Sequence, residues 1–135
     1  MARVIVVDDE PAIGGVIGKI LTRNGHEVIL AGGGLEAIKK LSQGHEPDLM
    51  ITDIVMPDMN GVKLIDNVRK LYPKIKIVAI SGGGPQYGPE TCLELATNRG
   101  ADRILMKPID MNKLLAVTKE LLTPHKAAPS FTPRD

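Results

Sequence analysis

Val4-Ile5-Val6-Val7-Asp8-Asp9 is an apolar run that ends in two carboxylates, and three later stretches repeat the design. Leu49-Met50-Ile51-Thr52 runs into Asp53, Ile77-Val78-Ala79-Ile80 into Ser81, and Ile104-Leu105-Met106 into Lys107-Pro108. Short runs without polar alternation read as strands buried on both faces, the pattern of a parallel sheet. Helical patterns separate them, so the chain reads as successive strand–helix units. Ligands of an open α/β sheet bind beyond the carboxyl ends of its strands. Three carboxylates, a hydroxyl and an ammonium should therefore meet at one sheet edge.

The remaining elements fit between these strands. Pro11 suits a first helical position, and Ile13, Val16, Ile17, Ile20 and Leu21 form the apolar stripe of a helix ended by Asn24-Gly25. A strand over Glu27 to Ala31, Gly32-Gly33-Gly34 and a helix around Leu35 to Leu41 follow. A loop from Ile54 to Asn60 leads to a third helix with Val62, Ile65, Val68 and Leu71 on one face, stopped by Pro73. After the fourth strand, a Gly/Pro-rich loop from Gly82 to Gly88 precedes a helix over 89–98. Asp110 caps a fifth helix whose inward stripe is Met111, Leu114, Leu115, Thr118, Leu121 and Leu122. The expected fold is α/β, an open, doubly wound, five-stranded parallel sheet with helices on both faces. Residues 1–122 form the domain, and 123–135, with Pro124, Pro129 and Pro133, read as a disordered tail or the start of a linker.

Composition narrows the function classes. Among 135 residues, 17 basic side chains face 16 acidic ones, which gives no electrostatic case for nucleic acid or an anionic membrane. The single cysteine, Cys92, rules out an internal disulfide and fits a reducing compartment. No apolar stretch approaches the roughly 20 residues of a membrane span, and Met1 to Arg3 lead straight into a strand, so a cytoplasmic location without a signal peptide is expected. His26, His45 and Cys92 lie in different units without ligand spacing, which argues against zinc. Gly32-Gly33-Gly34 follows the second strand rather than the first and lacks the rest of a dinucleotide fingerprint.

The acidic cluster carries chemistry of its own. Asp8, Asp9 and Asp53 placed side by side repel one another, and a divalent cation removes that cost. Carboxylate, carbonyl and water oxygens are hard ligands that select Mg²⁺ or Mn²⁺ over Zn²⁺. Lys107 suits a phosphate oxygen as a point charge, and the Ser81 hydroxyl can donate to another. A phosphoryl group on Asp53 would be neutralised from two sides, in a reaction that needs positioning and electrostatic stabilisation above all.

In these residues the chain resembles the receiver domain of two-component response regulators, as in the chemotaxis response regulator. The marks are Asp8-Asp9, Asp53 within Asp53-Ile54-Val55-Met56-Pro57-Asp58-Met59-Asn60-Gly61, Ser81, and Lys107-Pro108. The resemblance implies a flavodoxin-like sheet of order 2-1-3-4-5. It implies that Asp53 accepts phosphate from a histidine kinase or histidine phosphotransfer protein. Asp8 and Asp9 would hold Mg²⁺, Asp9 more directly, with Asp53 and the Val55 carbonyl as further ligands. Ser81 and Lys107 would meet the phosphoryl oxygens, and the Lys107-Pro108 bond would be cis. Output would be a contact with a downstream protein or effector domain through the fourth helix, fifth strand and fifth helix. Such a switch is not an enzyme on small substrates and acts as a monomer or a phosphorylation-dependent homodimer.

Two departures and two rivals accompany this reading. Ile104 stands three residues before Lys107, where many receivers carry an aromatic readout residue, and Tyr87 is the candidate replacement. Val55, two residues after Asp53, replaces the polar residues that orient attacking water in some relatives, which should lengthen the phosphorylated lifetime. A metal-dependent phosphotransferase of the aspartyl-phosphate kind would place an acid where Val55 stands. A phosphorylation-independent interaction module would not need the full set of Asp8, Asp9, Asp53, Ser81 and Lys107. Gly14, Gly15 and Gly18 in the first helix are read as close packing on the sheet, with room for an approaching partner helix as the alternative.

Overall fold

The computed structural model describes residues 2–44, 46–81 and 99–123. Strands β1 (Arg3–Val7), β2 (Glu27–Ala31), β3 (Leu49–Asp53), β4 (Lys76–Ser81) and β5 (Arg103–Met106) alternate with helices α1 (Pro11–Arg23), α2 (Gly34–Ser42) and α3 (Gly61–Leu71). Helix α4 (Met111–Leu122) follows β5. All neighbouring strands are parallel, in the order β2-β1-β3-β4-β5. The flavodoxin-like sheet is therefore present. The expected helix over 89–98, Tyr87, Cys92, His45 and the tail from Pro124 lie outside the described residues.

Each strand sends alternate side chains to opposite faces, and both faces are covered. Ile5, Val7, Met50, Ile77 and Ala79 pack with Ala37 and Leu41 of α2 and Leu64, Ile65 and Val68 of α3. Val4, Val6, Leu49, Ile51, Val78 and Ile80 pack with Ile17 and Leu21 of α1 and Leu114 of α4. Burying a side chain of this size stabilises the fold by about 1.5–3 kcal/mol, which is how an almost entirely aliphatic core holds the sheet.

Local signals set the helix ends. Pro11 opens α1, and the chain leaves it through Asn24 and Gly25, whose φ of 90° is the left-handed conformation that glycine adopts at little cost. The Asn60 side chain accepts the Lys63 amide at 2.8 Å to cap α3, and Asp110 accepts the Asn112 and Lys113 amides at 2.9 and 3.3 Å to cap α4.

Three details differ from the apolar pattern of the sequence. Val16 is 47% exposed because it lies on the side of α1 away from the buried Gly14, Ile17, Gly18 and Leu21, and Leu71 is 70% exposed as the last residue of α3. Leu64, outside the expected α3 face, is fully buried instead. In β5 only Leu105 is buried, since this strand lies at the edge and pairs on one side alone.

Arg69 anchors the chain just before β5. Its guanidinium donates to the carbonyls of Pro73 and Ile75 at 2.9 Å each, to that of Gly100 at 2.8 Å, and to the Asp102 carboxylate at 2.8 Å. The same Asp102 oxygen accepts the Ile77 amide at 2.8 Å. A planar fork serving several acceptors in this way is specific to arginine.

Candidate functional site

The strand register assembles the site. Val7 is level with Thr52, so Asp8 comes level with Asp53. Asp53 is level with Ile80, which leaves Ser81 one residue further out. Ser81 is level with Met106, and Lys107 follows. Asp8, Asp53, Ser81 and Lys107 thus leave four neighbouring strands at one edge of the sheet, as the sequence predicts.

Asp53 is 5% exposed and held at both carboxylate oxygens. The Val55 amide donates to Oδ1 at 3.2 Å, and the Lys107 ammonium donates to Oδ2 at 2.8 Å. Behind it, the Gly61 amide donates to the Ile54 carbonyl at 2.6 Å, closing the β3–α3 loop tightly. A β-carbon on Gly61 would overlap the Asp53 carbonyl oxygen and lie 2.7 Å from Ile54 Cα. Only glycine fits there.

Asp8 is equally enclosed. Its Oδ1 accepts the Glu10 amide at 2.8 Å, and its Oδ2 lies 3.8 Å from the Lys107 ammonium. Burial is the main force pushing the Asp8 carboxyl above its ordinary pKa, and the neighbouring Asp53 and Asp9 charges add to it. The Glu10 amide and Lys107 oppose that rise without cancelling it. Burial alone would lower the Lys107 pKa, but the hydrogen bond and charge of Asp53, with Asp8 and Glu10, outweigh it and hold the ammonium above the usual lysine value.

One acid at the site was not a candidate from sequence. Glu10 forms with Asp8 and Asp53 a group whose carboxylate oxygens lie within 4.8 Å of one another, and it also reaches Lys107 at 3.5 Å. Asp9 is exposed and stands outside this group. Glu10 occupies the residue before the first turn of α1, so it reads from sequence as part of a helix start. The available signal is three consecutive acids between a buried strand and Pro11. The donor set is all carboxylate oxygen, which fits a hard divalent cation.

The other expected site residues are also placed. Ser81 is fully buried at the last position of β4, and its carbonyl accepts the Lys107 amide at 3.0 Å. The Lys107-Pro108 peptide bond is cis. Val55 is 39% exposed beside the site, and Ile104 is 41% exposed on β5.

Comparison with known proteins fits this geometry. A family model described as the response regulator receiver domain matches residues 4–119. The chain belongs to that family. As a receiver domain of two-component systems, it is 31% identical over 121 residues to the chemotaxis protein CheY of Bacillus subtilis, covering 88% of this chain and 97% of that one. It is 37% identical over 132 residues to the DNA-binding transcriptional regulator NtrC of Azospirillum brasilense, covering 96% of this chain and 26% of NtrC. The receiver thus corresponds to about a quarter of NtrC. The response regulator TrrA of Thermotoga maritima, solved in complex with Mg²⁺-BeF, superposes with a TM-score of 0.78 at 32% identity, covering 90% of this chain and all of that one. No helix among the described residues of the receiver is long and apolar enough to cross a membrane.

Proposed function

We propose that this receiver is a Mg²⁺-dependent phosphoacceptor whose phosphorylation on Asp53 switches its binding to a partner protein. The observation that carries this reading is the two-sided hold on Asp53, by the Val55 amide and the Lys107 ammonium, beside the Asp8 and Glu10 carboxylates. Asp8, Glu10 and Asp53 would hold the ion, and the resemblance adds Asp9 and the Val55 carbonyl as further ligands. The Mg²⁺ in the TrrA complex favours that ion here. Bound Mg²⁺ supplies positive charge against the phosphoryl oxygens.

The donor is a phosphohistidine on a histidine kinase or histidine phosphotransfer protein. A carboxylate oxygen of Asp53 attacks phosphorus, the P–N bond breaks, and the imidazole leaves with the electron pair. Lys107 neutralises one phosphoryl oxygen, and the Ser81 hydroxyl donates to another. The receiver turns over no small substrate, so the chemistry is that of a switch.

Phosphorylation brings close to two negative charges and three acceptor oxygens into a confined site. Lys107 is drawn toward the new charge, and β5 and α4, which flank it in sequence, form the surface presented to a downstream protein or effector domain. Ile104 takes part in this surface as an exposed aliphatic contact rather than as a turning ring. The switch works in the cytoplasm.

Intact-mass analysis after incubation with acetyl phosphate tests the reading. One phosphoryl adduct that requires Mg²⁺ and is absent from Asp53→Ala is the expected result. An unmodified wild-type chain with both reagents present would leave a receiver that works by shape alone.

A further inference from the structure

Helix α2 begins with no cap of its own. Its N-cap residue is Gly33, which offers no side-chain acceptor to the first amides of the helix. The acceptor comes instead from the loop that follows Asp53. The Asp58 carboxylate takes the Gly34 amide on Oδ1 at 3.3 Å and the Leu35 amide on Oδ2 at 3.1 Å.

The glycines make this seat possible. A β-carbon on Gly33 would lie 2.5–2.7 Å from the Asp58 carboxylate atoms, and one on Gly34 would lie 3.0 Å from Met59 Cβ and Sδ. Gly33 has a φ of 175°, an extended conformation open to any residue, so its small size serves the Asp58 contact rather than the backbone. A second acid at the same helix end is independent of the loop: Glu36 accepts the Gly32 amide at 2.9 Å from within α2.

The β3–α3 loop is tied down at its two ends by the Ile54 amide on the Ile80 carbonyl, at 3.0 Å, and by the Gly61 amide on Ile54. Between those ends, Asp58 accepts two hydrogen bonds from a different element, α2. Val55, whose amide binds Asp53, lies in the stretch so held.

We propose that Asp58 is a positioning residue for the Asp53 site: seated on the first amides of α2, it clamps the β3–α3 loop in the conformation that receives Mg²⁺ and the phosphoryl group. This rests on the reading of Asp53 as a Mg²⁺-dependent phosphoacceptor. Asp58 touches neither reacting atom and acts through the loop that carries Val55. The coupling is reciprocal, so occupancy of the site tightens the α2 amides.

Mg²⁺ titration by calorimetry, together with phosphorylation rates from acetyl phosphate, tests the clamp in four variants. Asp58→Ala should weaken Mg²⁺ binding by roughly tenfold, the low end of the about 10–100-fold range for groups that support metal ligands, because Asp58 acts through the loop and not on a ligand side chain. Gly33→Ala should reproduce that loss with Asp58 intact, because the added methyl group evicts the carboxylate. Asp58→Asn, which keeps one acceptor oxygen, should fall between wild type and Asp58→Ala. Glu36→Gln weakens the same helix end without touching the loop and should leave Mg²⁺ affinity unchanged. Asp58→Ala and Gly33→Ala with wild-type affinity and rate would overturn the clamp while leaving the phosphoacceptor reading intact. A wild-type chain that neither binds Mg²⁺ nor is phosphorylated would overturn both. If Asp58→Ala fails to fold, Gly33→Ala and Asp58→Asn decide between these outcomes.

Discussion

The Lys107 ammonium lies 2.8 Å from Asp53 Oδ2, joining the residue after β5 to the last residue of β3 across the intervening β4. The same ammonium is 3.8 Å from Asp8 and 3.5 Å from Glu10. One cation therefore serves three carboxylates, two of them almost fully buried.

Replacing that cation exposes what it does. Lys107→Met leaves Asp8 and Asp53 buried without a positive partner and should lower stability by about 1–3 kcal/mol in the presence of a chelator. Saturating Mg²⁺ should return more stability to the variant than to the wild type. Urea unfolding with and without the ion measures both effects. Equal stability of the two proteins in chelator would show that the ammonium contributes nothing to the fold.

Asp8 gives a pH dependence opposite to that of an ordinary paired carboxylate. Its folded-state pKa is raised above the ordinary 3.8, chiefly by burial. A raised pKa means that its contribution to stability is fully present below the unfolded value and is lost as pH rises through the folded one. In chelator at neutral pH, Asp8→Asn should therefore be more stable than the wild type, with the advantage vanishing below pH 3.8. Added Mg²⁺ should reverse the order. Unfolding curves across that pH range, compared pairwise, supply the measurement.

Gly61→Ala tests how tightly the backbone is folded behind Asp53. The added methyl group would meet the Asp53 carbonyl and Ile54 Cα, both backbone atoms that cannot rotate away. A loss of about 2–3 kcal/mol is expected, together with a slower reaction with acetyl phosphate. A shift of the denaturation midpoint without any change in rate would separate the packing of this turn from the site.

Thr118 is a stabilisation target away from the chemistry. It is 1% exposed on the inner face of α4, and its hydroxyl finds no hydrogen-bond partner among the described residues. Thr118→Val keeps the shape and removes the unsatisfied oxygen, so a gain of about 1 kcal/mol is expected. Phosphorylation should be untouched. A lower urea midpoint in the variant would mean that the hydroxyl is satisfied in solution.

Much of this structure was legible because sequence and geometry share a period. A buried parallel strand is a continuous apolar run, and its first polar residue marks the sheet edge, which located Asp8, Asp53, Ser81 and Lys107. Glu10 was hidden because a residue beside Pro11 reads as the start of a helix, and its approach to Lys107 depends on how β5 ends. Asp58 was hidden for a related reason. Its partners Gly34 and Leu35 lie 24 and 23 residues away, and no local pattern records a cap supplied from another loop. Periodicity also overreached at Val16, which lies off the Gly14, Ile17, Gly18 and Leu21 face that α1 turns to the sheet, and at Leu71, the last residue of α3.

The measurement that bears most directly on the central claim is borohydride reduction of the phosphorylated receiver followed by peptide mapping. Reduction converts an aspartyl phosphate to homoserine. The account predicts homoserine at position 53, formed only when Mg²⁺ was present during phosphorylation. Homoserine at Asp8, Asp9 or Asp58, or a phosphorylated chain with no reducible acyl phosphate, would contradict it.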